Sequence, residues 1–239
     1  MTPRGKLKDI ISRGLVIDIF QTEQAIALDW EIGSHAEEIN KATFGDLFGS
    51  LQWILGRHAI LAVSRLFELP NARYLIRSIP TAIKLLKLHA DDLPIKKKPF
   101  VIGKLVQFGH RDNQLNRLSD TEITKLIVKE FSESLPSTAQ ASLNDLSRAL
   151  NALKAARDKS IAHNEAIQVS EIPKATYAEI DRLIDYAKKF VGVVGFGYLG
   201  VHYESNNGEY VLRSNAERAS MALKRLLTIS GVLKDSRFE

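Results

Sequence analysis

No cysteine occurs among the 239 residues. This excludes structural disulfides, thiolate metal sites and cysteine nucleophiles, and it suits a reducing compartment. Long apolar runs are missing too. The longest, Phe190 to Val201, has 12 residues and is rich in glycine, whereas a membrane span needs roughly 20. The N-terminal stretch MTPRGKLKDIISRGLVIDIF starts basic, but its apolar positions alternate with charges. It therefore lacks the continuous apolar core and the cleavage site of a signal peptide. The expectation is a soluble cytoplasmic protein without membrane association. Internal repeats, low-complexity tracts, a Walker loop and a serine in a nucleophile-elbow context are likewise missing. His35, His58, His89, His110 and His202 are scattered without zinc-ligand spacing, so neither a metal nor a cofactor is expected.

What is present is an ordinary globular composition, 45% hydrophobic and 26% charged, with a mainly helical pattern. Leu7, Ile10, Ile11, Gly14, Leu15 and Asp18 begin a stripe of helical period that continues through Ala25 and Leu28. Residues 44–69 form a strongly apolar helical stretch ended by Pro70. Residues 71–92 give a third helix with a kink expected at Pro80, and a short helix around 99–109 follows. Ser119 with Glu122 has capping-box spacing and starts a helix reaching about Ser134. Pro136 and Ser137 open the next, with apolar positions at Leu143, Leu146, Leu150, Leu153, Ala156 and Ile161. A further helix spans about Thr176 to Val191, and Ser214 with Glu217 signals the last. Between these two, Asn207-Gly208 could join two short strands or lie in a long loop. The fold class expected is all-α, an up-and-down bundle with extra helices and a loop or small hairpin near 200–213. One domain covers 1–239, with a basic insertion or connection at about 90–117.

The charge is uneven. Arg73 to Arg117 holds ten Lys or Arg against three Asp and no Glu, a net of +7 in a chain of net +5. Lys96, Lys97, Lys98, Lys104 and Arg111 are candidate RNA-phosphate contacts, and Phe100, Phe108 and His110 could stack bases. A solvated basic surface over core phenylalanines explains the same residues. Adjacent acids Glu37-Glu38 and Asp91-Asp92 point in different directions and read as exposed.

Gly195-Phe-Gly197-Tyr-Leu-Gly200 matches the GxGxxG dinucleotide-binding pattern. That mechanism needs a helix starting within the glycines to hold a pyrophosphate. Here the glycines lead into VHYESNNG, without a helical stripe, and no parallel strands precede them. The reading that remains is a helix end packed closely or bending away.

Residues 155–166 read AARDKSIAHNEA. With 15 Arg and 6 His in the chain, one Arg five to seven positions before a His is expected roughly once by chance. A plain alternative is a helix tail, in which Lys159 and His163 complement the negative end of the dipole and Asn164 caps it. The surroundings say more. LNALKAARDKSIAHNE has a leucine-bearing helix, Arg157, the adjacent Asp158, a short polar stretch and then Ala-His163. This resembles the Rx4–6H motif of HEPN domains, and ILAVSRLFE at 60–68 resembles the matching segment of the AbiU-like branch associated with abortive phage infection. The resemblance spans about 20 to 230. It implies a helical bundle that dimerises around the motif and, in active members, cuts RNA, tRNA among the candidates, without metal, to leave 2′,3′-cyclic phosphate and 5′-hydroxyl ends. Arg157 and His163 would be catalytic, Asp158 supporting and Asn164 a weaker neighbour. An antitoxin or defence partner is also implied.

Helix geometry adds a constraint of its own. Six residues place His163 about 120° around a straight helix from Arg157, and about 9 Å along it. Convergence on one phosphate then needs a helix end between them or a second copy across a two-fold axis. The competing reading is a catalytically silent helical module that binds a partner protein or nucleic acid.

Overall fold

The computed structural model describes residues 1–136, 145–158, 175–203 and 213–234. Among them all regular structure is helical. Helix α1 (Pro3–Ile10) starts where the Thr2 hydroxyl accepts the Gly5 amide at 3.1 Å, with Pro3 in the first turn, where its missing N–H costs nothing. A π-type turn, Ile11–Leu15, carries the chain without a break into α2 (Val16–Ser34). Leu7, Ile10, Ile11, Leu15 and Ile19 have no exposed surface. Burying side chains of this kind stabilises by about 1.5–3 kcal/mol each, which holds this rod against the rest of the bundle.

Short α3 (Ala36–Lys41) reverses the chain, and α4 (Gly45–Leu66) returns antiparallel to α2. Arg65 of α4 reaches Asp18 near the start of α2 at 2.6 Å, while Gln52 reaches the Asp29 carbonyl near its end. Helices α5 (Ile79–Leu88), α6 (Lys98–Gln107), α7 (Asp112–Leu115) and α8 (Asp120–Glu133) follow. Helix α9 (Asp145–Ala156) and α10 (Tyr177–Val194) then cross the core, and α11 (Arg213–Ile229) packs on α2. Phe131 of α8 sits at the centre of an aromatic cluster, edge-on to Phe108, Tyr186 and Phe190. A smaller apolar cluster of Ile32, Ile39, Phe48 and Leu227 joins α2, α3, α4 and α11.

The all-α expectation holds, and the Ser119–Glu122 capping box is present in both directions. Three boundaries differ. Residues 70–78 are not helical. Pro80 does not kink a helix; it lies in the first turn of α5, behind Ser78, whose hydroxyl accepts the Thr81 amide. α10 outruns its expected end at Val191, continuing through Val194 into a second π-type turn, Gly195–Leu199. Helix α11 is already under way at Arg213, so Ser214 falls inside its first turn. The Asn207-Gly208 turn and the helix opening at Ser137 lie outside the described residues.

The GxGxxG glycines end a helix rather than start one. Gly197 lies so close to α6 that a Cβ there would come within 2.5 Å of Val101. Its carbonyl accepts the Lys96 and Lys97 amides at 2.7 and 3.1 Å. Gly200, at φ +76°, supplies the left-handed residue that closes the turn.

Candidate functional site

Helix α9 is fixed on its inner side by Ala149, Leu150, Ala152 and Leu153, all at most 2% exposed. Near its start, Arg148 forms an ion pair with Glu179. Glu179 also accepts the Thr176 amide and hydroxyl in a capping box that opens α10, so one buried carboxylate ties the two helix starts together. The Thr176–Glu179 spacing is visible in the sequence but is not among the signals read from it above.

The other end of α9 carries the motif. Arg157 and Asp158 continue it with π-type pairing, a local widening common at functional positions. The Arg157 Nε donates to the Asp158 carboxylate at 2.7 Å, and the arginine side chain is 22% exposed against 52% for the aspartate. Lys154, three residues earlier, lies on the same face of the helix. Burial, and next the neighbouring Arg157 charge, hold its ammonium below the usual lysine pKa, while Glu68 and Asp158 act in the opposite sense. His163 and Asn164 lie outside the described residues.

Glu68 belongs to the ILAVSRLFE stretch, whose Ala62, Val63, Ser64, Leu66 and Phe67 are buried at the C-terminal end of α4. Arg65 of the same stretch pairs with Asp18, whose carboxyl is raised above its ordinary value by burial, against the lowering effect of Arg65. The two segments that carry the sequence resemblance, about 90 residues apart, lie on the packed helices α4 and α9 and their margins, close enough for the Glu68 charge to act on Lys154. Neither residue is among the sequence candidates. Lys154 was accessible to the helix-face argument, three residues before Arg157; Glu68 needed the fold.

Along α10, Glu179 meets Arg148 and Tyr186 borders Phe67, with ring centres 5.9 Å apart, before the helix passes into the Gly195–Leu199 turn.

That turn packs against the basic window. Lys98 is engaged structurally: its ammonium donates to the Leu118 carbonyl at 2.6 Å and pairs with Asp120 at 3.4 Å. Lys96 and Lys97 are exposed, Lys104 is half-buried with its ammonium 5.4 Å from the centre of the Phe100 ring, and Arg111 is exposed just before α7. The expected stacking residues divide. Phe108 lies edge-on to Phe131 in the core cluster, and His110 is tied to Glu130 at 2.8 Å. Phe100 instead turns edge-on to Phe196. Glu37, Glu38, Asp91 and Asp92 are exposed as expected, Asp91 accepting from Thr121 and Asp92 contacting His89. No described helix is long and apolar enough to cross a membrane. Among the described residues no three His, Asp or Glu side chains stand together as a metal site.

An all-α bundle with an arginine–aspartate pair at the end of a core helix that packs on α4 accords with an HEPN domain. Over residues 21–219 the chain matches the HEPN family AbiU2, and it belongs to that family of abortive-infection HEPN domains. No curated protein and no solved structure matches it.

Proposed function

We propose that the protein is a metal-independent endoribonuclease of prokaryotic defence, with Arg157 and His163 as its catalytic pair. The observation that carries this reading is the Arg157–Asp158 pair at the end of α9, a helix packed on α4, which bears the other family-like stretch. A histidine titrating near neutrality takes the proton from a ribose 2′-hydroxyl, which attacks the adjacent phosphorus, and a histidine returns a proton to the departing 5′-oxygen. The products are a 2′,3′-cyclic phosphate and a 5′-hydroxyl. Arg157 stabilises the charge gathering on the phosphorane oxygens, and Asp158 holds the guanidinium in position. Two histidines serve the two proton transfers best, and one chain offers one in this motif. The active form is therefore a homodimer with the motifs facing across a two-fold axis.

Incubation of the purified protein with total tRNA in EDTA tests the reading. Wild type should cut and His163→Ala should not, with the helical circular dichroism of the two alike. Binding without cutting by wild type supports the alternative, a catalytically silent helical module that binds nucleic acid or a partner protein. A monomer fully active at nanomolar concentration would contradict the shared site.

A further inference from the structure

The corner between α6 and the Gly195–Leu199 turn brings together residues a hundred positions apart. The His202 ring lies on Phe196 with centres 3.5 Å apart and planes tilted by 36°. Phe196 in turn meets Phe100 edge-on at 4.8 Å. His202 is exposed, whereas Phe196 and Phe100 behind it are half-buried. Cations surround this stack: the Lys97 ammonium lies 5.8 Å from the Phe196 centre, and the Lys104 ammonium lies over Phe100. The Lys96 ammonium reaches the Leu199 carbonyl at 3.4 Å. Backbone bonds from Lys96 and Lys97 to Gly197 fix both halves of the corner relative to each other.

From this arrangement we infer a binding site for single-stranded RNA, with a nucleobase stacked on the outer face of His202 and adjoining phosphates held by Lys96, Lys97 and Lys104. The inference rests on the ribonuclease reading for the identity of its ligand, and it adds His202 to the lysines expected to contact RNA.

Three features select that ligand. A planar exposed ring backed by two further rings is held in place before binding, so little ordering entropy is lost when a base lands on it. Lysines are point charges without the fork geometry that reads base edges, so the site tracks a backbone and tolerates many sequences. A duplex hides its base faces, and only an unpaired segment can offer one to a stacking platform.

Fluorescence anisotropy with a labelled 12-nucleotide oligoadenylate, using the uncleaving His163→Ala chain, tests this directly. His202→Ala in that background should weaken binding by about 10-fold, and His202→Phe should restore it, since base–aromatic stacking survives the exchange. Lys97→Gln should lower the slope of log affinity against log salt by about 0.7. Lys41→Gln, on the exposed α3, serves as the control and should change neither. Thermal melts of each variant separate lost binding from lost fold. Unchanged binding in a folded His202→Ala chain would overturn the platform, as would tighter binding of a duplex of the same length, or displacement of the oligonucleotide by an acidic tyrosine-containing peptide at lower concentration than by RNA. Wild type that binds single strands through His202 but cuts no RNA would leave the platform standing and remove the ribonuclease reading. Cleavage by wild type with His202-independent binding would do the reverse.

Discussion

At the end of α9 the cations are partly buried and crowded among carboxylates; at the α6 corner they stand at the surface beside rings. Arg157 is tied to Asp158, and the charges of Arg157, Glu68 and Asp158 all act on Lys154. Lys96 and Lys97 face solvent, with Phe196 and His202 as neighbours. On the proposed function, the difference is one of task. A group that must stabilise charge at one atom gains from fixed position and exclusion of water. A group that holds a polyanion gains from exposure, because its affinity comes from counterions released along the strand. One cationic chain thus carries two kinds of positive surface, and composition alone does not tell them apart.

The largest effect that separates them belongs to the motif. Arg157→Ala should reduce RNA cleavage by about 10²–10³-fold, measured as single-turnover rates, and should change oligonucleotide affinity by less than about threefold. Comparable losses in both readouts would mean that the two regions form one binding surface.

The corner is expected to fail through packing. In Gly197→Ala the added Cβ meets the fully buried Val101 at 2.5 Å, and overpacking of this kind costs about 1–3 kcal/mol. A lowered melting temperature together with weaker RNA binding is the expected result. An unchanged melting temperature would show that the turn yields freely.

Arg65→Ala probes the frame behind the motif. It leaves the buried Asp18 carboxylate without its guanidinium, at a cost of about 1–3 kcal/mol. The sign with pH follows from burial. Asp18 is already raised above its unfolded value, so the folded state binds the proton more tightly, and the cost of its charge is present above the folded pKa and relieved below it. Without Arg65 that pKa rises further. Urea unfolding should therefore show a larger loss for Arg65→Ala at pH 8 than at pH 5.

The smallest effect is that of Lys154→Met. Lys154 is depressed below its unfolded value, so the unfolded chain binds more protons in the window just under the ordinary lysine pKa, and stability rises with pH through that window. The methionine variant should flatten that alkaline rise and change stability at pH 7 by less than about 1 kcal/mol.

These tests divide along the line of what the sequence makes visible. The helices were legible because apolar residues recur at helical spacing, as in Leu150 and Leu153, and because the Ser119–Glu122 box marks a start locally. The motif was legible for the same reason: Arg157, Asp158 and His163 are near neighbours in the chain. The α5 boundary is hidden in the sequence because residues 71–78 carry enough apolar positions to imitate a helix, while Pro80, which by itself suggests a kink, belongs with Ser78 to a helix start. The stacking platform had no local signature at all. Phe196 and His202 meet Lys96–Lys104 only because Gly197 permits close approach, and the GxGxxG pattern pointed to a different chemistry. Phe108 and His110, adjacent to the lysines in sequence, are engaged by Phe131 and Glu130, although Phe108 stays exposed at the surface.

The central claim is that chemistry is performed at Arg157 and His163 without a metal ion. Mapping the ends of RNA fragments produced in EDTA tests it most directly. The account predicts 2′,3′-cyclic phosphate and 5′-hydroxyl ends from wild type and no fragments from a folded His163→Ala chain. Fragments carrying 5′-phosphates, or equal cutting by His163→Ala, would contradict it.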